Sequence, residues 1–264
     1  MLRQLHSIVM AVDDFEVSRA FYTDALALEQ VGSDENSIRV KIGPTTLELR
    51  ADEPDAGSVD QPSVDHFAFN VDNIDETYSA LRDRVPFKAP PHTTEVGHRN
   101  MQRALLAFDD PNGFGIQIAE TVDTRDHLEG RRQAKEEMAS QGNGGLLRGF
   151  DHISTYCTDF ATVRAFYTEQ LGLEEFFYSN TREEGEVVAA GFEQAAFAIG
   201  GTDIELASDE NWNDVRTDRI RRLEFTADNA EESFGQAQSS GATAIESHAM
   251  TLLHPDGLPV GITQ

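Results

Sequence analysis

Val96-Gly97-His98 stands seven residues ahead of the run Leu106-Ala107-Phe108-Asp109-Asp110-Pro111-Asn112-Gly113-Phe114-Gly115-Ile116-Gln117. An imidazole, a strand, a tight turn and a second strand ending in an amide can bring two polar groups to one pocket. Histidine transfers protons near neutral pH, and an amide hydrogen-bonds or lends its oxygen to a cation. The turn between the strands follows from residue chemistry: Pro111 presets φ, Gly113 tolerates a positive φ, and Asp110-Pro111-Asn112-Gly113 reverses the chain. Alternation puts Ile116 and Ile118 on one strand face and Gln117 on the other. Gln117 therefore either serves the pocket or faces solvent as an ordinary polar residue.

The chain that must position these groups has 264 residues, enough for one large or two ordinary domains. No apolar run reaches the roughly 18 residues of a membrane span, and Met1-Leu2-Arg3-Gln4-Leu5-His6 lacks the features of a secretory signal. The expected compartment is the cytoplasm. A single cysteine, Cys157, excludes an intramolecular disulfide and any multi-cysteine zinc site. With 47 acidic against 21 basic residues the net charge is −26. Acids spread along the whole chain repel nucleic acid and anionic membranes, so neither is an expected partner. The same dispersed acidity, with lysine only at positions 41, 88 and 135, resembles salt-adapted halophilic proteins.

The chain repeats itself. Arg19-Ala20-Phe21-Tyr22-Thr23-Asp24-Ala25-Leu26-Ala27-Leu28 recurs 145 residues later as Arg164-Ala165-Phe166-Tyr167-Thr168-Glu169-Gln170-Leu171-Gly172-Leu173. Each copy follows a short strand and a helix-start signal, Asp13/Asp14 or Thr158/Asp159. A weaker half-length repeat opens at Val64-Asp65-His66-Phe67 and at Arg221-Arg222-Leu223-Glu224, each closing on a Pro-x-Gly turn at Pro111 and Pro255. The unit is βαβββ, used four times. Residues 121–146 interrupt it with a polar helix and the Gly-rich stretch Gln141-Gly142-Asn143-Gly144-Gly145, which suits a flexible linker. The predicted domains are 1–120, a helical and Gly-rich linker at 121–146, and 147–264.

Four such units paired into two half-barrels resemble the vicinal oxygen chelate superfamily, which includes glyoxalase I, epimerases, bleomycin-binding proteins and extradiol dioxygenases. The resemblance implies an α+β fold of four βαβββ modules in two half-barrel domains. Residues 96–117 resemble the extradiol dioxygenase fingerprint, with Ala107 in place of its Tyr and Gln117 in place of its iron-binding Glu. Carried over strand by strand, the resemblance places metal ligands at His6, Glu48, His66 and Gln117, with His98 as acid/base. The corresponding positions of the second half, His152, Glu205, Arg222 and Gly261, read as a degenerate site in which a guanidinium repels a cation.

By resemblance the first functional expectation is an extradiol ring-cleaving dioxygenase using Fe(II) or Mn(II) on a catechol-like or other vicinal-oxygen small molecule. The second is a glyoxalase- or epimerase-type lyase or isomerase using Zn(II) or Ni(II). The third is a metal-free binder of the bleomycin-resistance type. A homo-oligomer is compatible with each.

Overall fold

The computed structural model describes residues 1–51, 64–96, 101–124, 129–141, 145–157, 159–180, 193–208, 219–246 and 248–264. Module 1 comprises β1 (Leu2–Val12), α1 (Phe15–Ala20) running into a π-helical turn (Phe21–Ala25), β2 (Glu29–Ser33), β3 (Ser37–Ile42) and β4 (Thr45–Ala51). Module 2 comprises β5 (Val64–Asn70), α2 (Ile74–Leu81), β6 (His92–Val96), β7 (Met101–Asp109) and β8 (Gly115–Thr124). After α3 (Glu129–Ser140), module 3 repeats the first: β9 (Gly149–Tyr156), α4 (Phe160–Ala165) with its π-turn (Phe166–Gln170), β10 (Glu174–Asn180), β11 (Glu193–Ile199) and β12 (Thr202–Ser208). Module 4 holds β13 (Ile220–Ala227), α5 (Ala230–Ser239), β14 (Thr243–Ala244), β15 (Thr251–Leu253) and β16 (Pro259–Thr263). Every module helix opens on an Asx cap: Asp14, Asn73, Asp159 and Asn229 each accept a bond from the backbone N–H three residues on. Those caps satisfy orphan donors at the helix start and set where each helix begins.

The strands form two eight-stranded sheets, β14-β15-β16-β13-β1-β4-β3-β2 and β10-β11-β12-β9-β5-β8-β7-β6. In every module the first and last strands lie side by side and parallel, as β1 with β4 and β5 with β8. The fold is thus the expected α+β arrangement of four βαβββ modules in two half-barrels. The pairing differs from one half-barrel per half of the chain: module 1 joins module 4 through antiparallel β1 and β13, and module 2 joins module 3 through antiparallel β5 and β9.

Two interactions account for the pairing of modules 2 and 3. Phe67 and Phe69 of β5 pack on Phe150 of β9 with ring centroids 5.2 Å apart, all fully buried. Buried charges are also complementary, since Arg103 of module 2 meets Asp151, Asp203 and Glu205 of module 3. A cation and three acids removed from water must find each other, so this pairing satisfies what separate modules would leave uncompensated.

Modules 1 and 2 still touch, through the turn and not through a shared sheet. Asp110 accepts bonds from the N–H groups of Asn112 and Phe114 and from the buried Tyr22 hydroxyl, while Asn112 bonds Ser18 and the Asp13 N–H at the start of α1. Gly113 adopts the expected positive φ of 76°. The counterpart turn is less well satisfied: His254 packs on Phe166 and Tyr167, and His254 Nε2, Tyr167 Oη and Asp256 Oδ2 are buried without a hydrogen-bond partner among the described residues.

Burial pushes the Asp256 carboxyl up to about 6 and drives His254 down to about 3. Between pH 4 and 6 the folded state keeps the Asp256 proton that the unfolded chain has released, so stability falls as the pH rises through that window. His254 acts oppositely, because the unfolded chain gains a proton below 6.5 that the buried ring refuses until about 3. The two slopes nearly cancel in the natural protein. Asp256→Asn should therefore raise the melting temperature at pH 7.5 by about 2–4 °C, for a gain on the order of 1 kcal/mol. It should also steepen the fall between pH 6.5 and 3, which thermal melts across that range will read.

Candidate metal centre

Strands β12, β9, β5 and β8 are consecutive neighbours, and their register decides what shares a face. Ala68 of β5 lies between His152 of β9 and Gln117 of β8, and Ser154 of β9 lies between His66 of β5 and Glu205 of β12. Because side chains alternate along a strand, His66, Ala68, Gln117, His152, Ser154 and Glu205 occupy one face. Phe67, Ile116, Ile153 and Ile204 occupy the other, where they are buried in the core. Small Ala68 and Ser154 leave the space above them to the four larger polar groups. Two histidines on the inner strands and Gln117 and Glu205 on the outer ones are related by the pseudo-twofold between modules 2 and 3.

The rings of His66 and His152 meet edge to face, with their Nε2 atoms 3.2 Å apart. Each Nδ1 faces the carboxylate of the preceding residue, Asp65 at 2.6 Å and Asp151 at 2.8 Å. Both aspartates sit at irregularities in the β5–β9 ladder, which is what lets a residue adjacent in sequence turn toward the same ring. A carboxylate at Nδ1 fixes the proton there and leaves an electron pair on Nε2. Two such pairs at 3.2 Å repel each other unless a proton or a cation lies between them.

Behind His152 lies a buried ionic cluster. Arg103, 3% exposed, reaches from β7 across the sheet's inner face to Glu205 Oε1 at 3.1 Å and Asp151 Oδ2 at 3.4 Å. Lys135 of α3 reaches Asp151 Oδ1 at 3.0 Å and Asp203 Oδ2 at 3.1 Å. Burial alone would raise the Asp151 carboxyl, but Arg103 and Lys135 hold it well below the usual range. Burial also lowers the His152 imidazolium, against the opposing pull of Glu205 and Asp151, so the ring is kept neutral and able to donate its electron pair.

These positions change the expected ligand set. His66 and Gln117 share the face, but His6 and Glu48 belong to the other sheet. Two physical facts explain the correction. Module pairing puts β1 between β13 and β4, in the sheet that does not contain β5. Within β1, moreover, the residue related to His66 and His152 is Ser7: Glu48 pairs with Val9 as Gln117 pairs with Ala68, two residues past the ligand position. His6 is one residue out of register and exposed. On that sheet Glu48 is bound by Arg50, and Ser7 and Arg222 both engage Glu224, so cationic side chains fill the space. His98 lies outside the described residues.

The residues missed were His152 and Glu205, set aside as remnants of a lost site, together with Asp65, Arg103, Asp151 and Lys135. One signal was present: the offset of 145 that aligns Phe21 with Phe166 also aligns Ser7, not His6, with His152.

Among the described residues no group of three or more His, Cys, Asp or Glu side chains is gathered as a finished metal cage, because Glu205 leans toward Arg103. The donor chemistry nevertheless fits a divalent ion. Nitrogens about 2.0–2.1 Å from one ion, at angles between a right angle and tetrahedral, are about 2.9–3.4 Å apart, and the two Nε2 atoms are at 3.2 Å. A cleft of about 520 Å³ elsewhere, bordered by Leu26, Lys41, Asp72, Glu76 and Arg148, contains none of these donors.

Residues 4–118 match the family described as Glyoxalase/Bleomycin resistance protein/Dioxygenase superfamily. No curated protein sequence matches the chain. Among solved structures, the V278E mutant of glyoxalase I from Zea mays is 14% identical, covers 98% of this chain and 91% of its own, and superposes with a TM-score of 0.66. A putative dioxygenase from Bacillus subtilis subsp. subtilis str. 168 is 15% identical, covers 99% of this chain and 84% of its own, with a TM-score of 0.64. At such identity these likenesses speak for the fold alone. No helix among the described residues is long and apolar enough to cross a membrane.

Proposed function

We propose that the face shared by modules 2 and 3 is a divalent-metal site that takes a small molecule through two neighbouring oxygens and catalyses proton transfer on it, as a glyoxalase- or epimerase-type lyase or isomerase. The observation that carries this reading is the pair of Nε2 atoms 3.2 Å apart, each ring anchored through Nδ1 by a carboxylate. His66, His152, Glu205 and Gln117 would hold the ion, which when bound would polarise the substrate oxygens. Asp65 and Asp151 keep protons on Nδ1, and Arg103 holds Glu205 from across the sheet. Ala68, Ser154 and Ala107, the last directly opposite Gln117 on the neighbouring strand, leave room for the substrate. His98 is proposed as proton carrier, a role for which removal typically costs about 10²–10⁴-fold in rate.

Proton transfer is favoured over ring cleavage by a count of positions. Four protein donors on a six-coordinate ion leave two, enough for two substrate oxygens and none for O₂. The second reading, an extradiol dioxygenase with Fe(II) or Mn(II), rests on the 96–117 motif and on His66, His152 and Glu205 as two imidazoles and a carboxylate. It requires Gln117 to stay off the ion. The test is metal analysis, followed by assays of the Zn(II), Ni(II), Fe(II) and Mn(II) forms on 2-oxoaldehydes with thiols and on catechols in an oxygen electrode. The expected result is bound metal and isomerised product without O₂ uptake. O₂ uptake with a catechol moves the assignment to the dioxygenase, and a protein that binds none of the four metals is a metal-free binder.

A further inference from the structure

The helix between the two halves of the chain was expected to be a polar spacer, and its composition, Glu129-Gly130-Arg131-Arg132-Gln133-Ala134-Lys135-Glu136-Glu137-Met138, supports that expectation. Its position does not. Arg131, Lys135 and Met138 stand four and three residues apart, on one helix face, and all three engage module 3. Arg131 bonds Asp203 and the Gly200 carbonyl. Met138 is 4% exposed and sits where a Cβ on Gly149 would come within 2.7 Å of its Cε and one on Gly201 within 2.5 Å of its Cβ. Those two glycines open the surface for a helix to dock at close range.

Lys135 is one of only three lysines in the chain and is 4% exposed. Its ammonium bonds the Asp151 carbonyl at 2.8 Å and the Gly201 carbonyl at 3.3 Å, and lies 3.0 and 3.1 Å from the Asp151 and Asp203 carboxylates. An ammonium is strongly hydrated and costly to bury, so a lysine driven to this depth is held by what it contacts. The contact chain is short: Lys135 Nζ to Asp151 Oδ1, then Asp151 Oδ2 to His152 Nδ1 at 2.8 Å. The Asp65 partner of His66, by contrast, retains 26% side-chain exposure where Asp151 has none.

We propose that Lys135 is a positioning residue of the metal centre: by clamping Asp151 from the interdomain helix it fixes the tautomer and the aim of the His152 ring. The proposal rests on the metal-site reading above. The helix thereby becomes part of the site, and the two halves of the chain are coupled through it. Without the clamp, Asp151 is free to turn toward Arg103, 3.4 Å from its Oδ2, and the His152 ring loses its fixed partner. Losing such an outer partner typically weakens metal binding about 10- to 100-fold.

The test uses the full chain. Zn(II) affinity is measured by competition with a chromophoric chelator for the natural protein, Lys135→Met and Met138→Ala, and the His152 tautomer is read from ¹⁵N chemical shifts of the metal-free proteins. Lys135→Met should weaken Zn(II) about 10- to 100-fold and give a mixed His152 tautomer, while Met138→Ala, which loosens the docked helix without touching Asp151, should leave both unchanged. Unchanged affinity and tautomer in Lys135→Met overturn the proposal, as does an equal loss in Met138→Ala, which would reduce Lys135 to helix docking. Should Lys135→Met fail to fold, Asp203→Asn, which removes one of the two carboxylates holding the ammonium, must produce the same loss in weaker form. If the natural protein binds none of Zn(II), Ni(II), Fe(II) and Mn(II), the metal-site reading falls by itself, and the tautomer still decides whether Lys135 orders His152.

Discussion

His152→Ala is expected to abolish divalent-metal binding, and His66→Ala to do the same, whereas His6→Ala and Glu48→Gln keep the full metal content of the natural protein. The two imidazoles supply the electron pairs that face each other at 3.2 Å, and removal of either leaves one nitrogen, Glu205 and a neutral amide. His6 and Glu48 lie on the other sheet, where Arg50 already binds Glu48. Metal content after dialysis against excess Zn(II), with circular dichroism to confirm an intact fold, decides between the sheets. Retention of metal by His152→Ala, or its loss in His6→Ala, would place the site within the amino-terminal half alone.

What the sequence disclosed and what it hid divide along the range of the interactions concerned. Local signals were legible: the Asx caps at Asp14 and Asp159, the Phe-Tyr repeats at 21–22 and 166–167, and the turn at Gly113. Each depends on a few neighbouring residues. The choice of module partner was not legible, because β1, β5, β9 and β13 all have similar alternating patterns and any could pair with another. That choice rests on contacts between distant residues, such as Arg103 with Glu205, whose complementarity appears only once the strands are side by side. The error at His6 was of another kind: a histidine one position from the correct register reads the same in composition, yet a slip of one residue reverses its face. Lys135 was hidden by its own helix, whose polarity matched a solvated spacer while one face was spent on buried carboxylates.

Glu205→Gln is the substitution expected to damage the centre most while changing its shape least. It removes the sole carboxylate among the four proposed donors, and it also leaves the Arg103 guanidinium, 4% exposed in its side chain, without the anion 3.1 Å away. The cost is below the about 3–5 kcal/mol of a fully uncompensated buried charge, because Asp151 and Asp203 still face the guanidinium at 3.4 and 3.8 Å. Part of that cost is expressed as repulsion of an incoming dication and adds to the loss of the carboxylate itself, so the loss of metal affinity should exceed about 100-fold, the equivalent of about 3 kcal/mol. Gln117→Glu should act in the opposite sense on binding. A second carboxylate tightens the hold on the ion, but it neutralises the ion's charge, weakens its pull on the substrate oxygens and lowers kcat. The pair of outcomes separates a working centre from a vestigial one: if Gln117 were a decayed ligand position, its restoration to Glu would raise affinity and activity together. Adding Arg103→Met to Glu205→Gln should not recover metal binding, and it recovers stability only so far as Lys135 and Arg131 still neutralise Asp151 and Asp203. Full metal retention by Glu205→Gln would show that Glu205 belongs to the ionic cluster alone and that the histidine pair holds its cation, or its proton, without it.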